Sequence, residues 1–143
     1  MKKNFRTFML LALVFTLAAC LPACAGAETA AAPVTVDLDL SVMSGTVVYA
    51  QVYNLLCDPT AWLGKTIRMG GFYSAFQDQS TGTVYHACVI PDATACCAQG
   101  IEFTLKEGDY PNQGDPIVVE GVFDTYYEGE YRYCTLVDAV RIL

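Results

Sequence analysis

The sequence predicts a small domain that is all β apart from one N-terminal helix, with five strands closing into a barrel. Two observations support this fold class. An apolar stripe with helical spacing comes first, and a series of short segments rich in β-branched and aromatic residues follows it. Turns rich in Gly, Pro, Asp and Asn separate these segments, and five short antiparallel strands with a coiled first strand suit a small barrel.

The helix is predicted to run from Ser44, which can cap its N-terminus, to about Cys57. Between these limits valines and leucines recur with the spacing of one helix face. Asp58 and Pro59 then stop the helix. The stretch 59–63 is predicted to form one further helical turn, with Gly64 just after its end.

The five strands are predicted where apolar and polar residues alternate or where β-branched residues cluster. Their expected ranges are 65–76, 83–90, 101–105, 116–126 and 131–143. Gly70 and Gly71 lie inside the first strand, and paired glycines within a strand indicate a bulge or a sharp coil. Four tyrosines flank the turn at Glu128 and Gly129, an arrangement more typical of cross-strand pairs in a hairpin than of a surface that stacks sugars or peptides.

Residues 62–71 read Trp-Leu-Gly-Lys-Thr-Ile-Arg-Met-Gly-Gly. This segment is similar to the entry into the first strand of small bacterial OB-fold domains, including those described as anticodon-binding-like. The resemblance extends from about Thr46 to Leu143, and it implies a five-stranded OB-fold-like barrel. The chain departs from the nucleic-acid-binding members because it is acidic and because its connection between the third and fourth strands is too short for their usual helix. The resemblance therefore implies a fold and no particular activity.

The N-terminus has the pattern of an export signal. Basic residues within the first six positions precede an apolar run from Thr7 to Ala19, which has the length of a signal h-region. The run closes on Leu-Ala-Ala-Cys at residues 17–20, which resembles the lipobox of bacterial lipoproteins. We therefore predict a lipoprotein signal peptide over residues 1–19, lipid attachment at Cys20, a flexible tether over 20–33 and the domain over 34–143.

Three other ways of processing the N-terminus stay open. They are lipidation at Cys24, ordinary secretion with cleavage after Ala25-Gly26-Ala27, and an uncleaved anchor. All of them place the domain outside the cytoplasm. The favoured form is anchored to the bacterial cell membrane, since two acyl chains attach stably when each buried methylene contributes about 0.8 kcal/mol.

The charge of the domain restricts its partners. After Ala27 the chain has five basic and fifteen acidic residues, a net charge of −10. Nucleic-acid binding needs clustered Lys and Arg, and no such cluster is present. We therefore expect no nucleic-acid partner. The membrane, through the lipid anchor, and another envelope protein are the candidate partners.

The only histidine and several thiols form a candidate metal site. His86 and Cys88 are two residues apart in a predicted strand and so point to the same side, and Cys96 and Cys97 lie in the loop that follows. Zn²⁺ prefers four thiolate and imidazole ligands, although Cu(I) also suits thiolates. The sequence predicts a metal site at these four residues, with zinc as the expected ion. Two further cysteines could replace one of the adjacent thiols as a ligand: Cys57 and Cys134.

Other interpretations of the cysteines stay open. Small exported domains commonly contain disulfides, and Cys88 could pair with Cys96 or Cys97 while Cys57 pairs with Cys134. Five thiols in the domain would leave at least one unpaired. The cysteines could instead be inert core residues, or Cys96 and Cys97 could act in thiol–disulfide exchange. No catalytic constellation is recognised, so the sequence predicts an exported binding module, with a disulfide-stabilised scaffold or a thiol redox protein as alternatives.

Overall fold

The structure is a computed structural model that describes residues 35–91 and 97–142. The chain divides at Pro33 into two units, and the description concerns the second, Val34–Leu143. The predicted signal peptide, the tether, Cys20 and Cys96 lie outside the described residues. The elements in chain order are β1 (Leu38–Asp39), α1 (Gly45–Cys57), β2 (Thr66–Gln77), β3 (Val84–Pro91), β4 (Ala98–Leu105), β5 (Pro116–Glu128) and β6 (Tyr131–Arg141).

Strands β2 to β6 pair in a closed ring. Strand β2 is antiparallel to both β3 and β5, β3 is antiparallel to β4, and β5 is antiparallel to β6. A parallel pairing of β4 with β6 completes the ring. The predicted class, mostly β with one helix, is confirmed, and each of the five predicted strands has its counterpart.

Strand β2 changes partner at Phe72. Its first half, from Thr66, pairs with β5, and its second half pairs with β3. A Cβ atom on Gly71 would lie 2.5 Å from the carbonyl oxygen of Val89 and 2.9 Å from the sulfur of Cys88. The register of β2 against β5 runs through both glycines without a bulge, so Gly71 serves a close approach of two strands instead.

The helix covers the core face of β3 and β4. Its buried residues Val48, Val52 and Leu55 repeat with helical spacing, and the helix contacts both strands. Ser44 holds the N-cap position, as predicted, but its side chain makes no capping hydrogen bond. No helix among the described residues is long and apolar enough to span a membrane.

Two expectations about local structure are wrong. The stretch 59–63 is a hydrogen-bonded turn rather than a helical one, with the amide of Trp62 donating to the carbonyl of Pro59. Strand β4 starts at Ala98, not at residue 101, because Ala98 pairs with Pro91 and extends the ladder into the expected loop. Gly100 permits this pairing, since a Cβ there would lie 2.9 Å from the carbonyl oxygen of Cys88.

Strand β1 and its ion pairs were not predicted. Strand β1 runs parallel to β2, and Asp39 lies in register with Arg68. The Arg68 guanidinium binds Asp39 at 3.2 Å and Glu120 of β5 at 2.7 Å. Glu120 is 7% exposed, so this pairing satisfies a carboxylate that would otherwise be buried without a partner.

We expect Gly71→Ala to lower the free energy of unfolding by about 1–3 kcal/mol, because the added methyl group meets backbone atoms of β3 that cannot move aside cheaply. Urea denaturation followed by circular dichroism measures this. Gly45→Ala is the matched control, since nothing lies within 4 Å of its added Cβ and alanine favours a helix by up to about 1 kcal/mol. Equal stability of Gly71→Ala and the unsubstituted protein would contradict the described contact of β2 with β3.

Candidate functional site

His86 and Cys88 lie on the same face of β3, the face toward the core. His86 is in register with Ala75, and Cys88 is in register with Tyr73 and Ile101. Cys88 is fully buried, whereas His86 is only partly covered. The alternation of side chains along the strand thus places the two residues as the sequence indicates, but at different depths.

The imidazole of His86 belongs to an aromatic stack. Its Nδ1 shares a hydrogen bond of 2.7 Å with the hydroxyl of Tyr73, and its ring lies 3.5 Å from that of Tyr110, almost parallel. The hydroxyl of Tyr110 in turn accepts a hydrogen bond from the amide of Leu105. Burial lowers the pKa of His86 and raises that of Tyr73, so both groups are neutral near pH 7.

The described cysteines differ in burial. Cys57, Cys88 and Cys134 form no disulfide; Cys57 is exposed at the end of α1, and the other two are buried. Burial raises the pKa of the Cys88 thiol to about 12 and also raises the pKa of Cys134. Cys97 is exposed just before β4.

Within residues 35–91 and 97–142, no three His, Cys, Asp or Glu side chains are placed to hold a metal ion. Three members of the predicted metal site, His86, Cys88 and Cys97, belong to these ranges, while Cys96 lies outside them. The metal site therefore stays a prediction. The structure adds that the Cys88 thiol is protonated at neutral pH in the absence of a metal, because its surroundings disfavour the thiolate.

The outer face of the sheet contains a second candidate site, which we call the acidic cleft. It is a cavity of about 380 Å³ between the start of β3 and the end of β5. The residues of the acidic cleft used below are Tyr85, His86, Glu102, Thr104, Asp124 and Tyr126. A neighbouring groove of about 300 Å³ shares Tyr85 and Glu102 and extends toward Phe76 and Glu128.

The acidic cleft opens where two strands part. Strand β3 pairs with β4 from Ala87 onward, and Glu102 is the residue opposite Ala87. Beyond that point β4 pairs with β6 instead, as Glu102 also lies in register with Thr135. Among the described residues, Val84 to His86 has a ladder partner only in β2, so its other edge faces the acidic cleft.

Tyrosine–glutamate hydrogen bonds connect the walls of the acidic cleft. The hydroxyl of Tyr126 donates to Oε2 of Glu102, and the hydroxyl of Tyr85 donates to Oε1 of Glu128. The ring of Tyr126 stacks on that of Tyr133 at 5.4 Å, and these two residues are cross-strand partners. The hairpin pairing predicted for these two tyrosines is confirmed, and it holds the Tyr126 hydroxyl against Glu102.

Glu102 is a partly buried carboxylate that forms no ion pair within the described part of the chain. Burial raises its pKa, and the charge of Glu128 raises it further, whereas the hydrogen bond from Tyr126 lowers it. The hydrogen bond to Glu128 raises the pKa of Tyr85 to about 12, so that hydroxyl stays protonated as a donor. Among the residues that the structure describes, no lysine or arginine lines the acidic cleft or the neighbouring groove. This arrangement can accept a positive charge through the carboxylates and the tyrosine rings.

The sequence analysis did not single out Glu102, Tyr85 or Tyr126. In sequence, Glu102 is one polar residue in an apolar strand and reads as an ordinary outward-facing position. Its partners are 24 residues away, at Tyr126, and across a strand junction, so no local pattern reveals the site. The tyrosines on either side of the last turn are the signal that the sequence offers near this site, and they predict a hairpin but not a binding site.

No family model, curated protein or solved structure matches this chain.

We expect iodoacetamide to label Cys57 in the folded protein under reducing conditions, while Cys88 and Cys134 stay unlabelled. With a pKa of about 12, only roughly one Cys88 thiol in 10,000 is ionised at pH 8, and the thiolate is the reactive form. Mass spectrometry of proteolytic peptides reads each site separately. All three should react in denaturant, which is the control. Rapid native labelling of Cys88 would contradict its described burial.

Proposed function

We propose that this chain is an exported binding module, built on an OB-fold-like barrel and anchored by a lipid at Cys20, that holds a positively charged ligand in the acidic cleft. The observation that supports it best is Glu102, a partly buried carboxylate that faces an open cavity and whose one side-chain partner among the described residues is a tyrosine hydroxyl. The net charge of −10 after Ala27 favours the approach of the same class of ligand.

The strand order supports the barrel. The first strand of the ring, β2, is shared between the second and the fourth, and the third is parallel to the fifth. This order suits a five-stranded Greek-key barrel of the OB type. The acidic cleft then lies on the outer surface of its second and third strands, a surface that such barrels can present to ligands, although the fold alone names no ligand.

The energetics of Glu102 favour a cation as the ligand. Partial burial disfavours the charged carboxylate, and Glu128 adds repulsion. A bound ammonium or guanidinium group would reverse both effects, because it supplies the opposite charge and hydrogen-bond donors at once. A neutral sugar would supply hydroxyl groups but would leave the charge of Glu102 uncompensated.

Binding is favoured over catalysis by the state of the hydroxyl groups. Tyr85 and Tyr126 both donate to carboxylates, and these bonds contribute to raising both tyrosine pKa values. Hydroxyl groups held in this way act as fixed donors and orient the carboxylates. They do not act as nucleophiles, because a nucleophile needs a neighbouring base that removes its proton or a lowered pKa.

A zinc ion at His86, Cys88, Cys96 and Cys97 is the second candidate. It is supported by the shared face of His86 and Cys88, and by the bond of Nδ1 to Tyr73, which would leave Nε2 to bind a metal. The zinc content of the protein after anaerobic purification tests this candidate. One equivalent of zinc that is lost in Cys97→Ser would support the site. A protein that takes up no zinc when zinc is added would exclude it.

The redox alternative also depends on Cys96 and stays a prediction. The scaffold alternative stays a prediction as well, although Cys57, Cys88 and Cys134 form none of the disulfides that it would use.

We expect arginine amide to bind the acidic cleft of the chain expressed without its signal peptide, and Glu102→Gln to weaken that binding by about 10- to 100-fold. The reason is that a charged hydrogen bond contributes about 1.5–3 kcal/mol. The chemical shifts of the Tyr85, Glu102 and Tyr126 amides during a titration measure the affinity of the unsubstituted protein and of the variant. Glu107→Gln removes the same charge from an exposed loop outside the acidic cleft and is the control. Tighter binding of a neutral oligosaccharide than of arginine amide would overturn the proposal.

We also expect Glu102→Gln to raise the melting temperature at pH 7. The folded-state pKa of Glu102 is raised above its ordinary value near 4.5, so its contribution to stability is complete below that value and is lost as the pH rises through the folded pKa. The difference between variant and unsubstituted protein should therefore disappear near pH 4. Scanning calorimetry across this range measures it, with Glu107→Gln as the comparison. If the variant is less stable than the unsubstituted protein at pH 7, the charged carboxylate of Glu102 is stabilised by its surroundings, and the prediction is wrong.

A further inference from the structure

We infer that the ligand of the acidic cleft is an extended peptide segment, paired to the open edge of β3, with a lysine or arginine side chain against Glu102. This inference rests on the proposed function and adds the partner's backbone to its charge. It needs three supports from the structure: free backbone groups that point into the acidic cleft, a register that brings a side chain to Glu102, and complementary charge.

The amide and carbonyl of Val84 and the amide of His86 point into the acidic cleft. The amide of Asp78, just after β2, donates to the carbonyl of Thr83, just before β3. Odd-numbered residues of β3 therefore direct their backbone groups toward β2. Two close approaches agree with this alternation, because the carbonyl of Val89 faces Gly71 of β2 and that of Cys88 faces Gly100 of β4. Even-numbered residues therefore face away from β2. Val84 has no partner among the described residues of β4, whereas the pairing of Ala87 with Glu102 uses the carbonyl of His86 and leaves only its amide open.

An open strand edge of this kind is a template for another strand. The pairing with β2 already holds residues 84–86 extended, so an added segment would not need to order them. Peptides that extend a sheet obtain affinity from main-chain hydrogen bonds and specificity from alternate side chains. The volume of about 380 Å³ is near the low end of ligand sites, which suits a short segment rather than a folded partner.

The register brings one peptide side chain to the carboxylates. A residue opposite Tyr85 would share the outer face of the sheet with it, since opposite residues project to the same side. On that face lie Glu102, in register with Ala87, and Tyr126, whose hydroxyl is bonded to Glu102. A basic side chain at this position would meet the carboxylate of Glu102 and the ring of Tyr85. Its neighbours in the peptide would point toward the face of His86, whose ring is stacked on that of Tyr110.

Charge and backbone together select the class of partner. Asp78, Glu102, Asp124 and Glu128 surround the two cavities, and no basic residue lines them. This charge favours a cation and repels nucleic acid and anionic lipid. A free polyamine would match the charge, but it has no peptide groups to pair with Val84 and His86. The partner that the acidic cleft fits is therefore an extended segment of another envelope protein with a basic residue opposite Tyr85.

The test compares four ligands on the signal-less chain by calorimetry. The first is acetyl-Ala-Gly-Arg-Gly-Ala-amide; the second replaces Arg by citrulline; the third is N-methylated at both glycines; the fourth is arginine amide. We expect the first to bind at least about tenfold more tightly than each of the others, because each of the others loses the charge or the strand pairing. Equal binding of the N-methylated peptide would overturn the inference.

The failures of the two proposals differ. If arginine amide binds in a manner that depends on Glu102 but the peptide binds no more tightly, the strand pairing is wrong and the proposed function stands. If neither ligand binds, both are wrong. Hydrogen exchange gives an independent measurement: the amides of Val84 and His86 should be protected by the peptide and not by arginine amide. Unchanged exchange at both amides with peptide bound would overturn the strand pairing.

The variant Val84→Pro tests the edge from the protein side. Proline removes the amide of residue 84, which points away from β2, so the pairing of β3 with β2 does not depend on it. We expect at least about tenfold weaker binding of the peptide and unchanged binding of arginine amide. Undiminished peptide binding by a folded Val84→Pro variant would overturn the inference, and if this variant does not fold, the N-methylated peptide decides.

Discussion

The close approach of β2 to β3 at Gly71 is the constraint on which the remaining structure depends. Strand β2 must pair with β5 over its first half and with β3 over its second, and the ring can close only if one strand serves both neighbours. At the change of partner the carbonyl of Val89 occupies the space that a Cβ on residue 71 would need. A residue without a side chain is thus required there by the path of the backbone, and the same contact presses Cys88 into the core beside it.

The acidic cleft follows from this closure. In a ring of five strands in which the third pairs with the fifth, β4 leaves β3 before it reaches the first residues of β3. Glu102 stands at that junction, in register with Ala87 on one side and Thr135 on the other. A side chain at a junction is partly enclosed by both neighbours, which explains why an outward-facing glutamate is desolvated enough for its pKa to rise. The topology therefore creates both the open edge of β3 and the carboxylate beside it.

The sequence predicts the features that depend on near neighbours. Alternation along the chain locates the strands to within a few residues, and helical spacing locates α1. Strand β1 is not predicted, because it has only two residues and is defined by its pairing with β2. In the sequence Asp39 has the character of a solvent-exposed acid, and only the fold shows that it pairs with Arg68. The shared face of His86 and Cys88 follows from the period of a strand. The ring of Tyr110, which covers His86, comes from a loop 24 residues further on, and no local rule anticipates it.

Burial has opposite consequences for the two groups of candidate residues. For Cys88 and His86 it favours the neutral form, and a neutral thiol or imidazole packs into a core as an ordinary side chain. For Glu102 it opposes the charged form at an open surface, where an uncharged residue of the same size would be tolerated at least as well. A partly buried carboxylate whose charged form is disfavoured, next to a cavity that no described lysine or arginine lines, is the feature on which the proposed ligand rests. The carboxylate, rather than the thiols, is therefore the part of this molecule whose surroundings most need a ligand to complete them.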